Sequence, residues 1–229
     1  QGIENCVAVG QRVGLRFTIN HHNIQELERI FDFIEAENIN RVCFYHLVYS
    51  GRGNQMMNED VTAEESRQAM DIIIRRTKDF EERGLQKEIL TVDNHCDGVY
   101  MYLNALAAGD GVTAKQIEKY SSMNGGNRSG IAFGEVDPMG YVHPDQFTQH
   151  HTFGNVRERK FGDIWSDTSN PIMAGLKDRK PLLKGRCAKC RYLENCNGNV
   201  RTRAEARTGD FWESDPSCYL TDEEIGLKG

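Results

Sequence analysis

The stretch VGLRFTINHHNIQELERIFDFIEAENINRVCFYHLV, residues 13–48, reads as strand, helix, strand. Val13, Leu15, Phe17 and Ile19 alternate with Gly14, Arg16, Thr18 and Asn20, the period of two that sends successive side chains to opposite faces of a strand. Asn23 stands where a helix over residues 24–37 needs a cap, and Ile24, Leu27, Ile30, Phe31 and Ile34 then share one helical face. Residues 41–48, RVCFYHLV, are rich in β-branched and aromatic side chains and predict a second strand, closed by the loop Ser50-Gly51-Arg52-Gly53-Asn54. Thr62 and Glu65 have capping-box spacing at the head of a helix to about Arg83, with Gly84 as its stop. Residues 88–93, EILTVD, predict a third strand, and a further helix opens near Asp97. Strands alternating with helices in this way form a parallel sheet with helical crossovers. Three such strands make a poor domain alone, so the sheet is expected to continue upstream of Gln1. The chain, which does not begin with methionine, reads as a fragment.

The texture changes near residue 125. Gly125-Gly126-Asn127 breaks the helical pattern, Asp137-Pro138-Met139-Gly140 predicts a turn between two short strands, and the tail from Lys184 is rich in loops and cysteine. This divides the chain into an α/β unit over 1–124 and a small irregular unit over 125–229. The 229 residues carry 38% hydrophobic and 27% charged side chains, enough for a core under a soluble surface. The net charge of −6 argues against a nucleic-acid partner, which needs Lys and Arg against its phosphates. No apolar run approaches the roughly 20 residues of a membrane span, and no signal peptide opens the chain.

Seven cysteines are an odd number, and four lie at 187, 190, 196 and 218. Clustered thiols without an export signal point to a reducing cytoplasm and a metal rather than disulfides. Cys187-x2-Cys190 supplies two thiolates from one turn, Cys196 a third, and the distant Cys218 closes the set. Four thiolates suit zinc or an iron–sulfur cluster, and the spacing leaves both open. Cys43, inside an apolar strand, reads as core packing. Cys6 and Cys96 are isolated, with no partner at ligand spacing.

CAKCRYLENCNGNVRTRAEARTGD with DPSCYLTDEEIG, the strand and loop RVCFYHLVYSGRGN, and GYVHPD with FGNVRERKFGDIW resemble the C-terminal portion of the NirJ-type radical SAM proteins of haem d1 biosynthesis. These belong to the radical SAM/SPASM-twitch group, and the likeness covers nearly all of the chain in order. It implies an α/β fold: the C-terminal half of a partial (β/α)6 radical SAM barrel, then a small α+β SPASM/twitch-like iron–sulfur domain. It also implies a full-length enzyme with two 4Fe–4S clusters and S-adenosylmethionine. That enzyme would take electrons from an external donor and remove propionate side chains from 12,18-didecarboxysiroheme by 5′-deoxyadenosyl radical chemistry. The auxiliary cluster would accept the remaining electron.

Two departures qualify the likeness. The C-x3-C-x2-C motif is absent, so this chain alone is expected to be inactive. Asp145 and Val200 stand where a two-cluster SPASM domain has cysteines, so one auxiliary cluster is implied, held by Cys187, Cys190, Cys196 and Cys218.

By the same resemblance Thr18 and Asn20 fall near the ribose of S-adenosylmethionine, and Gly51-Arg52-Gly53 could offer backbone N–H groups to an anion. Arg203 and Arg207, four apart on a helix with Arg201 nearby, are candidate anchors for substrate carboxylates. His143, in the turn region where the family's G-x4-C delivers its cysteine, is a candidate axial ligand or proton donor. His150 and His151 would point to opposite faces on a strand, so one of them at most would contribute. Tyr45 and His46 could line the cavity. Three rival readings stand beside this one: a sister radical SAM decarboxylase of the siroheme-dependent haem pathway, acting on acetate arms; a zinc-stabilised binding module without catalysis; and an α/β protein that only binds tetrapyrroles.

Overall fold

The computed structural model describes residues 1–227, so the last two residues of the expected second unit lie outside it. A short helix α1 (Gly2–Ala8) precedes β1 (Gly14–Thr18), which pairs in parallel with β2 (Arg41–Tyr45), itself parallel to β3 (Glu88–Val92). The crossover between β1 and β2 is a 3₁₀ turn over Ile24–Glu26 followed by α2 (Leu27–Ala36). Between β2 and β3 come α3 (Arg52–Gln55) and the long α4 (Ala63–Glu82). The predicted capping box is formed: the Thr62 side chain accepts from the Glu65 N–H, and the Glu65 carboxylate accepts from the Thr62 N–H. Such a cap is worth about 1 kcal/mol. Gly84, at φ +72°, follows the end of the helix.

Alternation decides which side of the sheet the helices cover. Val42 and Phe44 are fully buried against α2 and α4, where Phe31 stacks on Phe44 at 5.2 Å and meets Phe80 at 5.9 Å. Burying side chains of this size contributes about 1.5–3 kcal/mol each. Arg16, Thr18, Cys43 and Tyr45 face the other way, and Arg16 lies over the Tyr45 ring at 5.0 Å. Cys43 is therefore half-buried on the opposite face and not in the helix-side core as its apolar neighbours suggested.

Strand ends differ from the sequence reading for local reasons. β1 stops at Thr18 because Asn20 starts a turn: the Asn23 carboxamide oxygen accepts from the Asn20 N–H at 2.9 Å. Asn23 is thereby used before the helix and makes no cap through its side chain. β2 stops at Tyr45, and Leu47-Val48-Tyr49 continues as buried loop.

Two antiparallel helices, α5 (Cys96–Ala107) and α6 (Gly111–Asn124), follow β3, and Gly125 in the left-handed region ends α6. The rest is the hairpin β4 (Glu135–Val136) and β5 (Val142–His143), with the predicted turn between, then five short helices: α7 (Phe161–Ser166), α8 (Pro171–Lys177), α9 (Gly185–Lys189), α10 (Leu193–Cys196) and α11 (Arg201–Thr208). Tyr219, Leu220 and Ile225 belong to the same hydrophobic core as Phe31, Phe44 and Val99. The cysteine-rich tail thus shares one core with the parallel sheet. Among the described residues no helix is long and apolar enough to cross a membrane.

Candidate metal centre and the cavities at the strand ends

Cys187, Cys190, Cys196 and Cys218 line one cavity, walled by Val99, Leu193, Leu220 and Ile225. Each sulfur is delivered by a separate device. Cys187 lies in α9, and Cys190 caps that helix in extended conformation, so the two thiols of the C-x2-C turn reach the same space. Cys196 ends α10 and is followed by Asn197, Gly198 and Asn199, all at positive φ (52°, 74° and 60°). Gly adopts that conformation freely and Asn at modest cost, so CNGN is a turn signal with a structural purpose. A Cβ on Gly126 would stand 2.2 Å from the Cys196 carbonyl carbon, and the Asn127 N–H donates to the Cys196 carbonyl oxygen at 3.1 Å. The GGN break near residue 125 is therefore the seat of the Cys196 turn.

Cys218 arrives on the tail, which polar straps hold to the sheet. Asn94 Nδ2 donates to the Ser217 carbonyl at 2.9 Å, and the Tyr219 hydroxyl donates to buried Asp97 at 2.6 Å. Asp97 also meets His46 Nε2 at 3.0 Å, so His46 locks the tail and does not line a cavity. Arg67 grips Glu224 with two bonds of 2.8 and 2.9 Å. The strap residues Asn94, Asp97, Tyr219 and Glu224 carried no sequence signal, because their partners lie over 100 residues away.

The donor set suits a metal group. Burial pushes up the thiols of Cys187, Cys190 and Cys196, and a cation among them would offset that cost. The Tyr192 N–H donates to Cys190 Sγ at 3.4 Å. Backbone N–H groups of Asp215, Gly198 and Leu220 favour the thiolates of Cys187, Cys196 and Cys218. Arg201 and Arg186 add positive potential at Cys187 and Cys218. Four convergent thiols suit zinc or an iron–sulfur cluster, and iron and sulfide content distinguishes the two.

Cys96, isolated in sequence, enters the same cavity from the start of α5. Its thiol donates to the Asn94 carboxamide oxygen at 3.0 Å, and its closeness to Cys218 lowers the Cys218 thiol. If a cluster binds here, Cys96→Ala removes a polarisable thiol from beside one ligand sulfur. The expected outcome is a more negative midpoint potential with iron content retained. An unchanged potential in an EPR-monitored redox titration would remove Cys96 from this role.

Several other candidates are placed differently from their expectation. Arg203 is fully buried: Nε and Nη2 donate to Asp215 at 2.9 and 2.7 Å, and Nη1 donates to the Leu47 and Asp93 carbonyls. Its donors are spent on tying α11 to the ends of β2 and β3, so it cannot anchor a substrate carboxylate. Arg207, on the last turn of α11, is exposed, so the two do not share an environment. Arg201 is also buried and donates to the Phe211 and Glu213 carbonyls. The Asn20 amide serves its own turn, accepting from the His22 N–H and donating to the Thr18 carbonyl. Thr18 is exposed on the helix-free face. His143 is buried, its Nδ1 3.0 Å from the His151 carbonyl and its Nε2 3.4 Å from Asp137. His143 pairs with Glu135 in the hairpin, and its ring is enclosed between Asp137 and the His151 turn. Gly53 is needed for close packing, since a Cβ there would lie 2.2 Å from the Val48 carbonyl oxygen.

Two cavities open at the carboxyl ends of β2 and β3. One of about 290 Å³ is lined by Asp93, Asn94, His95, Asn127, Asp145 and Phe147 among others. The second, about 320 Å³, lies between the Tyr49–Asn54 loop and α11. Phe147 borders both, on a loop fixed by Asp145, whose carboxylate accepts from the Phe147 and Thr148 N–H groups at 2.8 and 2.9 Å and from Ser129. Burial drives the His95 imidazole down to about 4, so it faces its cavity uncharged. The carboxyl ends of parallel strands are where such folds place their ligands.

No family model matches the chain. A Fe-coproporphyrin III synthase from Methanosarcina barkeri is 55% identical over 229 residues, covering 99% of this chain and 57% of that protein. A pre-heme d1 synthase from Dinoroseobacter shibae is 38% identical over 226 residues, covering 98% and 56%. An AdoMet-dependent heme synthase from M. barkeri is 26% identical over 204 residues, covering 88% and 54%. The chain thus spans a little over half the length of the curated relatives it matches. Among solved structures, anSMEcpe with bound AdoMet superposes with TM-score 0.62 at 13% identity, over 97% of this chain and 54% of that one. SuiB of Streptococcus suis bound to S-adenosylmethionine gives 0.64 at 16% identity, over 95% and 47%. The homologues are haem-synthase-like proteins, AdoMet-dependent where the name says so, and the fold is one shared with AdoMet-bound structures, in agreement with the radical SAM resemblance.

Proposed function

We propose that this chain is the C-terminal part of a radical SAM enzyme that trims the side chains of an iron tetrapyrrole. In this reading Cys187, Cys190, Cys196 and Cys218 hold one auxiliary 4Fe–4S cluster. The observation that carries it is the convergence of four thiols on one cavity, each met by a backbone N–H. The likeness to the haem-synthase relatives favours the cluster over the zinc module. Asp145, buried and tied to Ser129 and Thr148, takes up the place of a further cysteine ligand, in keeping with a single cluster.

When bound, the cluster would supply one-electron chemistry, at a potential set by hydrogen bonds to its sulfurs and by buried charge. The chain's own residues provide the enclosure. The straps through Asn94, Asp97 and Glu224 close the thiol cavity, and the Phe147 loop separates the two cavities at the strand ends. Residues 1–124 would complete a partial barrel and 125–229 a SPASM/twitch-like domain, joined through the shared core. S-adenosylmethionine would lie against the helix-free face of the sheet, with Thr18 within its reach. The chain by itself, lacking C-x3-C-x2-C, would be inactive; the whole enzyme would work in the cytoplasm with an external electron donor.

The names of the relatives bring the substrate class. Identity of 55% with the Fe-coproporphyrin III synthase, against 38% with the pre-heme d1 synthase over nearly the same residues, favours the Fe-coproporphyrin III branch. The haem d1 reaction is the second reading, kept by the motif likeness above. The test is the product of the full-length protein given S-adenosylmethionine, a reductant and 12,18-didecarboxysiroheme. Loss of the two remaining acetate arms whole, giving a fully conjugated iron porphyrin, supports the first reading. Loss of propionate arms supports the second, and an unaltered tetrapyrrole overturns both.

A further inference from the structure

His150, His151 and Glu205 converge outside the cysteine cavity, with His150 and Glu205 lining the 320 Å³ cavity. The two histidines do not diverge as strand neighbours would, because residues 149–151 form a turn. His150 Nε2 stands 2.7 Å from one Glu205 carboxylate oxygen and His151 Nε2 stands 2.9 Å from the other. The two rings lie 4.4 Å apart.

The supports of this trio are as specific as the trio itself. The His151 N–H donates to the Thr148 carbonyl at 3.0 Å, its carbonyl meets His143 Nδ1 at 3.0 Å, and Phe211 packs edge-on against its ring at 5.2 Å. Glu205 projects from α11, which Arg203 and Arg201 fix to the rest of the fold. Buried His143 thus acquires a use as the positioning residue of the His151 turn.

An exposed histidine–carboxylate pair contributes little stability, about 0–1 kcal/mol, and needs no second imidazole. Two rings at this distance would repel if both were charged. Neutral, they form with one carboxylate a donor set of charge −1, which a divalent cation satisfies. Two imidazoles and a carboxylate are a common set for zinc or ferrous iron, with open coordination positions left over. Ligands at about 2.0–2.1 Å round a tetrahedral ion lie ~3.3 Å apart, so the nitrogen–oxygen pairs need to open by roughly half an ångström. His150 is half exposed and His151 and Glu205 partly so, which leaves the rings and the carboxylate room to do that.

We propose that His150, His151 and Glu205 bind one borderline divalent metal ion, zinc or ferrous iron, as a site separate from the cysteine cavity. Its open positions face Ser50, Gly51 and Asn54 across the cavity, where a water or a carboxylate oxygen fits. Iron already held in a tetrapyrrole has one axial position per face, and three convergent donors exceed what it can use. The proposal therefore concerns a free ion and does not rest on the tetrapyrrole reading.

The test titrates Co²⁺ alone, then Zn²⁺ in competition, into the anaerobically purified chain with its cysteine site loaded and its iron and sulfide measured. One cobalt per chain, with ligand-field bands of nitrogen and oxygen donors and no sulfur charge-transfer band, is expected. His150→Ala, at a half-exposed position, and Glu205→Gln are each expected to weaken it by more than about 100-fold, since even outer-shell changes cost 10–100-fold. Iron and sulfide should be unchanged. No cobalt uptake, uptake equal in both variants, or a sulfur charge-transfer spectrum overturns the site. So does uptake of a ferric haem probe through His150 or His151 without uptake of the free ion.

Discussion

Cys196→Ala is expected to abolish the metal group outright. The parent chain, purified without oxygen, should carry about four irons and about four sulfides with broad thiolate-to-iron absorption, and the variant should carry neither. Cys196 is the ligand whose loss has no local remedy. Its turn is fixed by Gly126 and by three successive left-handed residues, and no other cysteine lies on that turn. Cys218 differs, because Cys96 stands beside it, so Cys218→Ala is expected to keep some iron where Cys196→Ala keeps none. Iron and sulfide analysis of the two variants side by side checks this. One zinc and no sulfide in the parent would sink the cluster and leave a structural module.

Arg203→Met is expected to destabilise the loaded protein by about 3–5 kcal/mol, the cost of leaving one member of a buried ion pair uncompensated. Both side chains are fully buried, so solvent offers neither of them relief. Asp215 alone would be driven up by burial; the charge and hydrogen bonds of Arg203 outweigh this and hold its carboxyl below the ordinary range. A carboxyl depressed in the folded state contributes stability above its unfolded pKa, near 3.9, and that contribution is lost as pH falls through the folded value. In Arg203→Met the sign reverses, and Asp215 becomes a buried charge that protonation relieves. The gap between the two proteins should therefore be largest at neutral pH and shrink as pH is lowered. Urea midpoints at several pH values, read by tryptophan fluorescence, measure it. A gap under about 1 kcal/mol at neutral pH would show that water reaches Asp215.

The functional consequence of that pair is positional. Arg203 joins α11 to the Leu47 and Asp93 carbonyls, and α11 carries Glu205 on its exposed side. Arginine four residues from arginine looks in sequence like a charged face. Whether such a side chain greets a substrate or is buried whole depends on an aspartate twelve residues on that folds back to meet it.

What the sequence determined by itself were the features set by neighbours in the chain. Period-two and period-3.6 patterns placed three strands and their crossover helices, because burial of one face is a local property of spacing. The Thr62 capping box, the Gly84 stop and the Asp137–Gly140 turn were legible for the same reason. So were the four clustered cysteines, whose spacing shows before any fold does. Only the tertiary structure decided that Cys96 joins them, that Asn94 and Asp97 strap Cys218 to the sheet, and that the cysteine tail shares the core of the parallel sheet. It likewise turned Arg203 inward and brought His150, His151 and Glu205 to one point. Each of these depends on chain segments 12 to 120 residues apart meeting in space, and the entropy of closing loops that long is offset only by the packing of the complete fold.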